Sequence, residues 1–244
     1  MTEREPMIEA VDLCKHYGSF AAIDHLSFTI RRGEVVAFLG PNGAGKSTTM
    51  KVLTGYLSPT AGTARLCGLD VVTDRVRAAA KLGYLPENGP LYPEMTPREL
   101  LSFFAEARGL SAGQLAERLD FVTKECDLAE LLDKPIGTCS KGQKQRVGMA
   151  QALLHDPEVL ILDEPTTGLD PNQIRHVREL IKKLGQTRTI LLSTHLFQEV
   201  EAMAGRVMLV NEGKLAFDGT PAEFKARGGG QMDQAFHSLT SHAS

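Results

Sequence analysis

Apolar residues along this chain recur in two distinct patterns. Val35-Val36-Ala37-Phe38-Leu39 is an unbroken apolar run, the signature of a strand buried on both faces. Leu160-Ile161-Leu162 and Thr189-Ile190-Leu191-Leu192-Ser193 repeat it. Between those two, Ile174, Val177, Ile181 and Leu184 fall at helical spacing and predict an amphipathic helix over Gln173–Leu184. A second helix is predicted from about Lys46 to Leu53, entered from the first run through a glycine-rich loop. Strands alternating with helices predict an α/β fold with a mostly parallel sheet.

Two stretches depart from that alternation. The first 35 residues or so, and Thr63–Leu69, read as β-rich. The segment from about Thr96 to Leu154 reads as all-helical and as a subdomain inserted into the α/β core. Its start carries an N-cap at Thr96, Pro97 in the first helical position and Glu99 as the reciprocal partner of a capping box. Gly228-Gly229-Gly230 breaks the chain near its end. Beyond it Met232, Phe236 and Leu239 line one face of a short helix, read as a tail docked on the protein's own surface, with a dimer contact as the alternative.

Composition narrows the function classes. The 27 Lys and Arg against 30 Asp and Glu leave a net charge of −3 over 244 residues, which argues against a general nucleic-acid binder. The longest apolar runs are strand-sized, far short of the ~20 residues that cross a bilayer. The opening MTEREPM has no apolar stretch, which argues against a signal peptide. Cys14, Cys67, Cys126 and Cys139 show no metal-ligand spacing and are expected to be reduced thiols of a cytosolic protein.

Gly40-Pro41-Asn42-Gly43-Ala44-Gly45-Lys46-Ser47, followed by Thr48, fits G-x-x-x-x-G-K-[ST]. Its glycines let backbone N–H groups turn toward phosphate oxygens, and the helix behind it presents a positive dipole end. Lys46 is expected on the β- and γ-phosphates and the Ser47 hydroxyl on Mg²⁺. A second half of the site is predicted where Leu160-Ile161-Leu162 delivers Asp163 and Glu164 to a strand end. There Asp163 holds Mg²⁺ through water and Glu164 serves as general base.

Between the two halves lies Cys139-Ser140-Lys141-Gly142-Gln143, then Lys144-Gln145-Arg146; after the acids come Thr167-Gly168-Leu169-Asp170 and Ser193-Thr194-His195. In this order and spacing the chain resembles the ATP-binding subunits of ABC transporters, from Tyr17 to about Phe224. Leu85-Pro86-Glu87-Asn88 and Ser140-Lys141-Gly142 resemble the ABC-2 export group, including the ATPases associated with gliding motility. The resemblance implies a phosphate-loop ATPase core with a mostly parallel sheet, an N-terminal antiparallel β-subdomain and an inserted helical subdomain. It implies one domain over 1–244: β-subdomain and phosphate-loop core in 1–87, helical subdomain in 88–156, the second part of the core in 157–220, and a tail in 221–244.

Roles follow residue by residue from the resemblance. Tyr17 matches the aromatic that stacks on adenine, although alone it reads as packing. Ser140, Gly142 and Gln143 match the signature loop that caps the γ-phosphate of ATP on an opposite subunit. Asp170 matches the loop coupling the two sites. His195 matches the switch histidine on the γ-phosphate, so Glu164, His195 and Lys46 are the expected catalytic set. Ser47, Asp163 and Glu87 are the expected Mg²⁺ ligands. Glu87 stands where the family usually has Gln, but a carboxylate is still a hard oxygen donor. Cys139 replaces a usual Leu and Lys141 a usual Gly; Lys141 is expected to offset charge near the composite site.

The implied cofactors are ATP and Mg²⁺, and the implied partners are a second ATPase subunit, most simply an identical copy, and an integral-membrane permease. No nucleic-acid partner is expected, and the implied place is the cytoplasmic face of the membrane, held there by the permease. The stretch after Glu87 supplies the expected docking surface, with Leu91, Tyr92 and Met95 in a Pro/Gly-rich loop; at least one of Phe103 and Phe104 is expected inside the helical subdomain. One alternative is a soluble ABC ATPase acting on ribosomes or DNA. That class tends to carry two such domains in one chain or long coiled-coil insertions, whereas here Lys46 and Ser140 are 94 positions apart with no heptad run, and the net charge is −3. The other is a nucleotide-regulated binding module without turnover, against which Glu164 and His195 both argue.

Overall fold

The computed structural model describes residues 4–87, 89 and 91–241. From the N-terminus these form β1 (Pro6–Tyr17), β2 (Phe20–Arg31), β3 (Val35–Leu39), α1 (Lys46–Leu53), β4 (Ala61–Leu66), β5 (Leu69–Asp70), α2 (Arg75–Lys81) and β6 (Leu82–Leu85). There follow α3 (Pro97–Ala107), α4 (Ala112–Glu125), a 3-10 turn at Ile136–Thr138, and α5 (Lys141–Leu153). The chain closes with β7 (Val159–Asp163), α6 (Pro171–Gly185), β8 (Thr189–Ser193), α7 (Phe197–Met203), β9 (Arg206–Asn211), β10 (Lys214–Gly219), α8 (Pro221–Arg227) and α9 (Met232–Thr240).

One sheet has the order β10-β9-β3-β8-β7-β6, parallel except for the β9–β10 hairpin. The unbroken apolar runs exist because both faces of this sheet are covered. Val36, Phe38, Val159, Ile161 and Leu191 turn to one face, where Met7, Ile23 and Leu26 of a separate antiparallel sheet (β2-β1-β4-β5) and Met50 of α1 complete a core. Ala37, Leu39, Leu160, Leu162 and Leu192 turn to the other, against residues of α3, α5 and α6 such as Leu100, Val147 and Ile181. Alternate residues of each strand thus serve two cores, as the period of two requires.

The segment expected to be helical holds no strand among the described residues. Thr96 caps α3 with the full reciprocal box: its side chain accepts from the Glu99 N–H, and the Glu99 carboxylate accepts from the Thr96 N–H at 2.8 Å. The tail docks on its own chain. Met232 and Ala235 are buried, and Phe236 meets Phe197 edge-on with ring centroids 5.5 Å apart. All four cysteines are free, and burial pushes the Cys126 thiol up to about 12.

The turn from α5 into β7 carries a half-buried titratable contact. The His155 Nε2–H donates to the Leu82 carbonyl at 2.9 Å, while Nδ1 is buried with no partner among the described residues. Burial, with Arg108 nearby, pushes the imidazole down to about 4 from an ordinary 6.5. The unfolded chain therefore binds this proton below pH 6.5 and the folded chain does not until about pH 4. Stability from this group is complete above pH 6.5 and falls as the pH drops to 4, by about 3 kcal/mol in all. Urea unfolding at pH 7 and pH 4.5 should show this loss, and His155→Gln should shrink the difference between the two pH values. An unchanged difference in the variant would assign the acid loss to other groups.

Candidate active site

β3, β8, β7 and β6 are adjacent and parallel, so their C-terminal ends lie along one edge of the sheet. Open α/β sheets bind ligands outside such ends. The chain leaving them carries Gly40, His195, Asp163–Glu164 and Glu87 respectively.

The loop from β3 into α1 is clamped from two sides. A Cβ on Gly40 would come within 2.3 Å of the Val210 carbonyl oxygen. Gly45 has φ +103°, and a Cβ there would lie 2.3 Å from the Ala22 carbonyl oxygen. Only glycine meets both demands. The Thr49 N–H and hydroxyl both donate to the Gly45 carbonyl, at 2.8 and 2.9 Å, which fixes the first turn of α1. Lys46 is buried, and its Nζ donates to the carbonyls of Gly40 at 2.6 Å and Pro41 at 3.1 Å. Burial lowers its pKa, and the negative charges of Glu164, Asp163 and Glu87 act in the opposite direction. Three carboxylates from two strand ends therefore face this ammonium. Asn42, Gly43 and Ser47 are exposed, Pro41 and Thr48 half-buried, and Ala44 buried.

Asp163 is buried and accepts the Ser193 hydroxyl at 2.5 Å. Glu164 has φ +51°, the left-handed region that a non-glycine residue rarely occupies. Its N–H is held by Ser193, 3.2 Å from the carbonyl and 3.0 Å from the hydroxyl. Its Oε2 lies 2.8 Å from His195 Nδ1 and accepts the Thr167 hydroxyl at 3.0 Å. The Glu164 side chain is 13% exposed and that of His195 56%. A shielded carboxylate with an exposed imidazole at its side is an arrangement suited to moving a proton. When Nδ1 carries the proton donated to Glu164, Nε2 is left for a further partner.

The structure thus gathers Lys46, Asp163, Glu164, Glu87 and His195 at one edge. The remaining predicted residues form separate groups. Tyr17 is half exposed at the end of β1, with Lys15 Nζ 5.5 Å from its ring centroid. Ser140 caps α5: its hydroxyl accepts the Gln143 N–H at 3.3 Å, and its own N–H donates to Gln143 Oε1 at 2.8 Å. Asp170 caps α6 in the same way, accepting the N–H groups of Asn172 and Gln173 at 3.0 Å each. The two caps are packed together. A Cβ on Gly142 would come 2.2 Å from Gln173 Oε1, and one on Gly168 2.3 Å from Lys141 Nζ. No hydrogen bond or ion pair joins these caps or Tyr17 to Lys46, Asp163 or Glu164 among the described residues.

The aromatic surface after β6 differs from expectation in its members. Tyr92 is 48% exposed, but Leu91 and Met95 are half-buried against the core. Phe103, 49% exposed, takes their place, edge-on to Tyr92 at 6.5 Å, while Phe104 packs inward. The reason is geometric: α3 brings Phe103 beside the loop, a neighbour that linear order conceals. Asn88, expected at the start of this surface, lies outside the described residues. Sequence reasoning also missed Ser193 as a partner of both acids and Thr167 as a donor to Glu164. The available signal was a hydroxyl within three positions of Glu164 and of His195.

A family model described as ABC transporter matches residues 23–167, more than half of the chain. The ABC transporter ATP-binding protein YbhF of Escherichia coli is 37% identical over 248 residues, covering 98% of this chain. This chain spans only 42% of that relative's length. The Nod factor export ATP-binding protein I of Paraburkholderia xenovorans is 41% identical over 221 residues, covering 89% of this chain and 72% of that one. A solved structure of an ATP-binding subunit of an ABC transporter is 32% identical, with a TM-score of 0.87 over 96% of this chain and 99% of its own. Motif order, sheet-edge geometry and these likenesses agree: the chain belongs to the ABC transporter family.

Proposed function

We propose that this chain is the ATP-hydrolysing motor subunit of an ABC transporter, of the ABC-2 export type. The observation that carries the reading is the Glu164–His195 contact beside buried Asp163, on strands adjacent to the one that feeds the phosphate loop. The loop N–H groups and Lys46 bind the phosphates of ATP, and Lys46 offsets their charge. Tyr17 stacks on the adenine. The Ser47 hydroxyl, Asp163 and Glu87 are hard oxygen donors suited to Mg²⁺. That ion, when bound, neutralises charge on the transferred phosphoryl group. Glu164 accepts the proton of the attacking water; His195, protonated on both ring nitrogens, donates through Nδ1 to Glu164 and through Nε2 to a γ-phosphate oxygen. The products are ADP and inorganic phosphate.

Each site is completed by a second copy, whose Ser140, Gly142 and Gln143 at the N-terminus of α5 cap the γ-phosphate. The dipole of that helix favours an anion there, and Asp170 couples the paired sites. Loss of the γ-phosphate removes the contacts that hold two copies closed, which turns hydrolysis into movement. No helix of the described residues is long and apolar enough to cross a membrane; in this reading the cargo path belongs to a permease. Its docking surface is the Tyr92–Phe103 patch with the loop around Leu91 and Met95, which keeps the subunit on the cytoplasmic face of the membrane. The names of relatives such as the Nod factor export protein support export. The parts 1–87, 88–156, 157–220 and 221–244 act as one ATPase domain with its inserted helical region and tail.

Glu164→Gln is expected to bind ATP and to hydrolyse it on the order of 10²-fold or more slowly, through loss of the base. Lys46→Ala is expected to weaken ATP binding or turnover. A phosphate-release assay with equilibrium ATP binding checks both, and near-normal turnover by Glu164→Gln would remove Glu164 from the role of base.

A further inference from the structure

Glu199 is a carboxylate that the proposed chemistry does not use, yet it is wholly buried in α7. An ionised carboxylate in that setting is costly unless strong donors satisfy it. It has two, one on each oxygen. The Thr166 hydroxyl donates to Oε1, and the Thr194 hydroxyl donates to Oε2 at 2.7 Å. Both threonines are themselves buried. Thr194 Oγ1 also accepts the Leu196 N–H at 3.1 Å, so its rotamer is fixed from both sides.

The placement of the two threonines gives the contact meaning. Thr166 follows Glu164 by two residues in the turn that leaves β7, and Thr194 immediately precedes His195 in the segment that leaves β8. Glu199 therefore bridges the two segments that carry Glu164 and His195. Glu164 needs such support, because its backbone sits in a strained left-handed conformation that persists only when its surroundings over-determine it. The turn is tight as well: the Thr167 N–H donates to the Glu164 carbonyl and the Leu169 N–H to the Thr166 carbonyl, each at 3.2 Å. A clamp on Thr166 and Thr194 fixes the spacing of the two segments beneath the 2.8 Å Glu164–His195 contact.

We propose that Glu199 is a positioning residue for hydrolysis, which holds the Thr166 and Thr194 segments so that Glu164 and His195 act as one unit. This rests on the reading of the site as an ATPase. Sub-ångström to ångström misplacement of reacting groups by a residue outside the chemistry costs large factors in rate.

The test compares Glu199→Gln, Thr194→Val and Thr194→Ser in kcat, in equilibrium affinity for ATP and in thermal midpoint. Glu199→Gln and Thr194→Val should each lower kcat by about tenfold or more, with ATP affinity held within about threefold. Thr194→Ser, which keeps the hydroxyl, should stay near the wild-type rate. In single turnovers, adding Thr194→Val to Glu164→Gln should cost little more, because residues acting as a unit are non-additive. The proposal is overturned by wild-type kcat in both Glu199→Gln and Thr194→Val, by parallel loss of kcat and ATP affinity, or by a penalty that multiplies in the Glu164→Gln background. Should Glu199→Gln not fold, the threonine variants decide alone. A wild-type chain without ATPase activity would overturn the ATPase reading and this inference together, whereas an active wild type with unaffected variants would overturn only this inference.

Discussion

A parallel sheet covered on both faces offers chemistry only at its edges and ends. Here that constraint is met strictly: each central strand gives alternate side chains to two separate cores, so no functional group sits in mid-strand. The polar residues gather where the strands stop. Asp163 is the last residue of β7 and Ser193 the last of β8, and Gly40 directly follows β3. Because these strands are neighbours in the sheet rather than in sequence, residues far apart in the chain meet within a hydrogen bond. The Glu164–His195 contact, 31 positions apart, is the outcome.

Charge in this site is managed by burial and by opposition. Lys46 is sequestered among loop carbonyls with three carboxylates facing it. Asp163 is buried on a hydroxyl, and Glu164 is held by a hydroxyl and an imidazole. Fixed donors in a shielded place cost no reorganisation when charge develops, which is where such sites gain most of their effect. The helix caps at Ser140 and Asp170 follow another logic. Their side chains already satisfy the first N–H groups of α5 and α6. A role for either toward a second subunit is added to a local structural one, and substitution at these positions disturbs both.

Much of this was legible in the sequence, for physical reasons. β3, β7 and β8 announced themselves because double burial leaves an unbroken apolar run, and β9 carries the same signal in Val207–Val210. The phosphate loop was legible because backbone geometry forces glycine at Gly40 and Gly45. The start of α3 was legible because a capping box is a local pattern. What stayed hidden depends on tertiary neighbours. β6 has four residues with a glycine among them, too short for periodicity to register. Tyr92 and Phe103 become one patch only once α3 is placed. Glu199, in a short helix beside Gln198 and Glu201, resembles a solvated acid, and only the fold turns it inward onto Thr166 and Thr194.

The most direct test of the claim that two chains complete one site is light scattering of purified Glu164→Gln protein with and without ATP in the presence of magnesium. If the γ-phosphate of one chain is capped by α5 of another, the protein is monomeric alone and dimeric when ATP is added. A protein that binds ATP and remains a monomer would contradict it, and would place the completion of the site with the membrane subunit instead.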